Sequence, residues 1–249
     1  VIFYVGLHQP SDAQHFARAF ISINRVRERK SAVPIGRATP VSTQNGNWIM
    51  DSGAFRELEH FGEYRHAPAQ YAADVNRIAA LNPDRLRIVV SQDYMCEPAM
   101  LAKTGLTIAD HQRKTIERYD ALKPLVRPYL MPVLQGYSVQ SYLEHIEQYG
   151  QRLAQNMLVG VGSICKRNGD PVQIKQVLGA IRRARPDIRL HGFGLKTTAL
   201  GSIMIRNCLY SADSMAWSFA ARRQGRNQNS WREALAFVRT IEGNYEMGT

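Results

Sequence analysis

Seven short runs of β-branched, aromatic and aliphatic residues punctuate the chain: Ile2–Leu7, Trp48–Asp51, Leu86–Asp93, Leu130–Gln135, Met157–Ser163, Arg189–Leu195 and Leu209–Asp213. Each is mostly apolar on both faces and runs into a polar or glycine-containing turn, as buried parallel strands do. Between them the apolar positions shift to helical spacing, as at Tyr71, Val75, Ile78 and Ala79, or Ile174, Val177, Leu178 and Ile181. Ser11-x-x-Gln14 and Ser230-x-x-Glu233 read as capping boxes, and Asp170-Pro171 sets an N-cap residue before a first-turn proline. Strand then helix, repeated almost from end to end, predicts a parallel α/β architecture with right-handed crossovers. A closed barrel and an open doubly wound sheet both satisfy that pattern. No Gly-x-Gly-x-x-Gly follows a strand, and Gly192-x-Gly194 lacks the third glycine. The expected fold is therefore an α/β, (β/α)8 TIM-type barrel, of which seven strands are legible. Residues 31–46 read as a long loop. Without repeats, low-complexity tracts or composition breaks, residues 1–249 are expected to form one domain.

Composition narrows the class without naming a function. The 249 residues are 45% hydrophobic and 21% charged, which excludes an intrinsically disordered chain. Cys96, Cys165 and Cys208 are scattered and never form Cys-x-x-Cys, so neither a disulfide framework nor a zinc ribbon fits. No apolar run reaches the roughly 18 residues of a membrane span, and no signal-peptide pattern opens the sequence, so a cytoplasmic protein is expected. The net charge of +11 permits a polyanionic partner, while a solvated basic surface explains it equally well.

Barrel chemistry gathers where strands end and enter their βα loops. Those positions hold His8, Asp51-Ser52, Asp93, Gln135, Ser163, Lys196 and Asp213. Three carboxylates converging on one mouth are costly unless solvated, paired or used. Two of them facing one centre suit displacement at a sugar anomeric carbon, where one attacks and the other manages the proton. Helix capping or arginine pairing is the structural alternative for each aspartate. A metal site built with His8 or His191 lacks any His-x-His or paired-cysteine support, and no metal or cofactor is expected.

Longer motifs resemble one family. Asp51-Ser52-Gly53-Ala54-Phe55 resembles the Asp-Ser-Gly-Gly-Phe signature of tRNA-guanine transglycosylases. In the same order, Ser91-Gln92-Asp93 with Glu97-Pro98 resembles that family's Asp-Glu-Cys-x-Pro, and Val133-Leu134-Gln135-Gly136 its Val-Gln-Gly turn. Gly160-Val161-Gly162 is similar to its glycine-rich base-binding loop, His191-Gly192-Phe193-Gly194 to Met-Gly-Val-Gly, and Ser211-Ala212-Asp213 to the start of its nucleophile strand. The opening Phe3–Pro10 and the run Asp213–Ser218 look more like the DpdA branch, whose members insert 7-deazaguanines into DNA.

The resemblance implies a barrel enzyme, a pentosyltransferase that exchanges guanine for a free 7-deazaguanine base through a covalent aspartyl-sugar intermediate. It also implies that the barrel is irregular or incomplete at the first strand, for which no counterpart precedes Ile2. By the same likeness Asp51 is the general acid/base and Asp213 the nucleophile, although a gapless alignment puts Ala216 where the tRNA enzymes carry theirs. Ser52, Asp93, Gln135, Gly136, Gly162, His191 and Gly194 are the implied base-binding residues. The 36 residues after Asp213 contain no Cys or His, so the tRNA enzymes' zinc lobe is not expected and DNA is favoured over tRNA. The target base must be single-stranded or flipped out. Lys166, Arg167, Arg222, Arg223 and Arg226 are the candidate phosphate contacts. Arg25-x-Arg27-x-Arg29-Lys30 and Arg182-Arg183-x-Arg185 are further basic clusters, the latter at a helix end that favours cations. Phe55, Tyr94, Tyr137 and Phe193 follow strand ends and are candidate stacking rings. A homo-oligomer or a helicase-type partner is compatible with the sequence. The alternatives are a transglycosylase acting on tRNA and a catalytically silent nucleic-acid-binding barrel.

Overall fold

The computed structural model describes residues 1–27, 41, 43–44, 46–167 and 169–246. The loop expected over 31–46, and Arg29 with Lys30, lie largely outside these residues. Among the described residues nine strands form one sheet: β1 Ile2–Gly6, β2 Ala19–Ser22, β3 Trp48–Asp51, β4 Leu86–Val90, β5 Tyr129–Met131, β6 Val133–Leu134, β7 Leu158–Val161, β8 Arg189–Gly192 and β9 Ser211–Ser214. Their spatial order is β5-β4-β3-β2-β1-β9-β8-β7-β6, and every pairing is parallel. The two ends of that order, β5 and β6, are neighbours in sequence separated only by Pro132. Eight staves therefore curl into a nearly closed barrel with its seam at Pro132. Proline has no N–H to donate to a ladder, so the stave splits there. β5 pairs back to β4, and β6 forward to β7.

Among the described residues eleven helices connect or flank these staves: α1 Ile23–Arg27, α2 Ala54–Phe61, α3 Pro68–Leu81, α4 Pro98–Thr104, α5 Ile108–Leu122, α6 Val139–Tyr149, α7 Pro171–Ala184, α8 Thr197–Leu200, α9 Ile203–Arg206, α10 Ala216–Arg223 and α11 Trp231–Glu246. α7 begins as its sequence predicts. The Asp170 side chain accepts the Val172 and Gln173 N–H groups at 3.1 and 3.2 Å, Pro171 takes the first turn, and Ile174, Val177, Leu178 and Ile181 are buried. Tyr71, Val75 and Ile78 are likewise the buried face of α3. The Ser11 segment differs: Pro10–His15 is a 3-10 helix without a side-chain cap. Reciprocal boxes form at Thr107 with Asp110 and at Ser138 with Ser141.

β2 is the stave that the hydrophobic pattern did not predict. It lies in the interval between His8 and Asp51, where no strand is legible in the sequence. Four residues entered from a 3-10 turn are too few to show a strand's period. With β2 in place the ring reaches eight staves, and Ser22 stands in register with Asp51.

Alternation along the staves divides apolar residues between two cores. Tyr4, Phe20, Ile49, Val90, Met131 and Val133 point inward and plug the barrel. Val5, Ile21, Trp48, Met50 and Val89 point outward into the layer between sheet and helices. In β3 this places Ile49 in the plug and Asp51, two residues on, above it. Trp48→Ala, which empties a fully buried position of the outer core, is expected to destabilise the fold by about 3–5 kcal/mol, read as a lower urea midpoint.

Candidate active site

Above the apolar plug the inward positions turn polar and enclose a cavity of about 400 Å³. Asp51, Asp93, Gln135, Gly162, Gly194 and Asp213 line it, together with His8, Glu97 and Ser163. Five of the seven strand-end landmarks, those at His8, Asp93, Gln135, Ser163 and Asp213, thus meet at one mouth with Asp51 of the sixth. Lys196 stands outside it.

Asp213 is the penultimate residue of β9 and is almost fully buried. Its Oδ1 lies 3.3 Å from His191 Nε2 and accepts the Gly194 N–H at 3.2 Å. Ser211 Oγ lies 2.8 Å from His191 Nδ1. A proton on Nε2 satisfies both contacts, with the serine hydroxyl donating to Nδ1. The ring is stacked on Phe20 and edged by Phe193, which holds it in place. Oδ2 of Asp213 has no hydrogen-bond partner among the described residues. One oxygen is pinned and the other is left to the cavity.

Asp51 ends β3, and its Oδ2 accepts the Gly53 N–H at 3.0 Å. Gly53 has φ 76°, and a Cβ there would stand 2.5 Å from Asn24 Nδ2, so the turn after Asp51 requires glycine. Burial raises the Asp51 pKa to about 6, the Gly53 N–H partly offsetting it and the nearby Asp213 charge adding to it.

Asp93 lies beyond β4 in an irregular segment anchored by Tyr64, whose hydroxyl donates to the Asp93 carbonyl and accepts its N–H. Its carboxylate accepts Ser52 Oγ at 3.3 Å and the Gln135 side-chain amide. Gln135 Oε1 accepts the Ser163 hydroxyl at 2.8 Å, and Ser163 Oγ accepts the Cys96 N–H at 3.0 Å. Ser163 adopts φ 59°, a costly conformation for a residue with a Cβ, and this aims its hydroxyl between the two partners. Burial raises the Asp93 pKa to about 7, against the opposing effect of the Gln135 hydrogen bond. Gly162 admits this network: a Cβ there would lie 2.2 Å from Gln135 Nε2.

The remaining predicted residues lie around this centre or outside it. Ser52 and His191 support Asp93 and Asp213 from behind the cavity wall. Gly136 faces Ser141 and Tyr142 of α6 rather than the cavity. Lys166 covers the exposed Phe55 ring and Arg167 the exposed Tyr137 ring. Arg222 and Arg223 are exposed on α10, and Arg226 is paired with Glu233 at 2.8 Å. The hydrophobic pattern gave no notice of Ser22 and Asn24, which reach the cavity from β2 and α1, or of Arg25 beside His8 Nδ1 at 3.4 Å. A strand assigned at Ala19–Ser22 was the missing signal for all three. Among the described residues no group of three or more His, Cys, Asp or Glu side chains is arranged to hold a metal ion.

A family model, DpdA (DeoxyPurine in DNA protein A), matches residues 1–231, from β1 to the start of α11. The chain belongs to the DpdA family. No curated protein matches it. DpdA membership brings DNA modification by a transglycosylase as the coarse function, with DNA as the substrate. The matched span contains every carboxylate of the mouth. No described helix is long and apolar enough to cross a membrane.

The raised carboxyl pKa values have a consequence for stability. Asp51 and Asp93 hold their protons more tightly folded than unfolded. Their contribution is complete below pH 3.8, the ordinary value, and is lost as pH rises through about 6 and about 7. Relative to Asp93→Asn, the wild-type thermal midpoint is therefore expected to fall between pH 4 and pH 8, as differential scanning calorimetry would register. A constant difference across that range would contradict it.

Proposed function

We propose that this protein exchanges a guanine of DNA for a free 7-deazaguanine base by double displacement. Asp213 serves as nucleophile and Asp51 as proton carrier. The observation that carries this reading is the two-point anchoring of Asp213 Oδ1 by His191 and Gly194, which leaves Oδ2 to attack across from Asp51.

Asp213 Oδ2 bonds to C1′ of the target nucleotide as the C1′–N9 bond breaks, and the electron pair leaves with guanine. Protonated Asp51 gives its proton to the departing base. The incoming deazapurine then loses its N9 proton to Asp51 carboxylate, and N9 attacks C1′ to release Asp213. Two inversions retain the β anomer. A proton carrier with pKa about 6 is suited to both directions near neutrality.

Asp93 and Gln135 supply the base contacts. A carboxylate beside a primary amide presents acceptors and a donor that complement the N1–H, N2–H₂ and O6 edge of guanine. In the free site these two side chains bond to each other, and a purine edge would replace that bond. Lys166, Arg167, Arg222 and Arg223 would hold phosphates around the mouth, with Arg226 restrained by Glu233. The net positive charge suits that polyanion. A cytoplasmic location and an auxiliary partner that opens the duplex fit the same reading.

Incubation with DNA and a 7-deazaguanine, followed by nucleoside mass spectrometry, is expected to show the modified deoxynucleoside and a trappable protein–DNA ester on Asp213. Exchange into tRNA alone, or an adduct mapping to another carboxylate, would overturn the assignment. Asp213→Asn is expected to abolish the adduct, and Asp51→Asn to slow exchange by about 10²–10⁴-fold. His191→Ala, which removes one anchor of Asp213, is expected to lower kcat more than it raises KM.

A further inference from the structure

Outside the cavity, one turn into α10, Phe219 is 46% exposed and carries three cations. Lys196 Nζ lies 5.7 Å from the ring centroid, Arg222 Cζ 5.3 Å and Arg223 Cζ 5.9 Å. Lys196 follows β8 and α10 follows β9, so the cluster belongs to the face on which Asp213 opens. Among the described residues neither Arg222 nor Arg223 has a carboxylate partner, unlike Arg226 on the same segment. The ring also borders a groove shared with Phe237 and Thr240 of α11.

The like charges of Arg222 and Arg223 on one ring repel one another, and the ring's quadrupole offsets only part of that cost. An exposed aromatic face beside Arg222 and Arg223 is the chemistry of a single-strand site: the base stacks on the ring, and phosphates take the guanidinium groups. A duplex offers no free base face to such a platform. The same pairing recurs across the mouth, where Lys166 covers Phe55 and Arg167 covers Tyr137.

We propose that Phe219, Lys196, Arg222 and Arg223 form a subsite for an unpaired nucleotide flanking the target, so that the protein engages single-stranded rather than fully paired DNA. The inference rests on the nucleic-acid reading above and adds to it a stacking residue and a preference for strand form.

Fluorescence anisotropy with a labelled single-stranded oligodeoxynucleotide, and with its duplex, tests it without any incoming base. Phe219→Ala is expected to weaken single-strand binding about tenfold, Phe219→Trp to retain it, and both to leave duplex binding unchanged. Arg222→Ala with Arg223→Ala should reduce the slope of log K against log salt by about 1.4, two phosphates at about 0.7 each. Circular dichroism melts matching wild type show that the variants fold. The subsite is overturned if Phe219→Ala binds the single strand like wild type, if Trp and Ala lose affinity alike, or if duplex binding falls equally. It is also overturned if the wild-type protein binds no single strand. Single-strand binding with these responses but no base exchange would refute the catalytic reading alone. Exchange with a silent Phe219 would refute the subsite alone.

Discussion

Every polar group at the mouth stands on the apolar plug formed by Tyr4, Phe20, Ile49, Val90, Met131 and Val133. Parallel staves alternate inward and outward residues, so the chain can place a carboxylate inside the barrel only by substituting it for the next plug residue. Asp51 does this two positions after Ile49, and Gln135 two positions after Val133. The plug denies these groups water from below, and burial is the largest cause of the raised pKa values of Asp51 and Asp93. The layer that stabilises the barrel also prepares its carboxyls to hold and release protons near neutral pH.

The three aspartates are treated differently by their surroundings, and the difference sorts their chemistry. Asp93 is engaged on both oxygens by Ser52 and Gln135, which suits recognition. Asp51 has a backbone N–H on one oxygen and a neighbouring negative charge, which suits proton traffic. Asp213 is held through one oxygen only. The proposed division of labour among identical side chains rests on their partners rather than on their positions on the rim.

Much of this was legible in the sequence because strand ends are where polar residues interrupt apolar runs. Asp51, Asp93, Gln135 and Asp213 each stand at such an interruption, and the cavity brings all four together. β2 escaped because Ala19–Ser22 is short and is entered from a 3-10 turn rather than from an amphipathic α-helix, which concealed Ser22 and Asn24 as well. The predicted strand over Leu130–Gln135 falls one residue late at each end, against 129–134, and is blind to the split at Pro132, since hydrophobicity does not register a missing N–H. Gly136 and His191 sit in motifs that resemble base-binding segments. Their neighbours are α6 and Asp213, however, and only tertiary packing distinguishes lining a cavity from bracing its wall. The signal for Phe219 was weaker still, because one aromatic residue on an exposed helix face carries no period.

The split stave at Pro132 divides the molecule into two arcs near the middle of the chain. The first, β1 to β5, carries Asp51 and Asp93; the second, β6 to β9, carries Gln135 and Asp213. Neither arc contains a complete reaction centre. The arcs join at the seam and along the β1–β9 ladder, where Tyr4 pairs with Asp213. A nascent or partly unfolded chain therefore has no assembled pair of opposing carboxylates, and in the proposed reaction competence arrives only with closure of the ring.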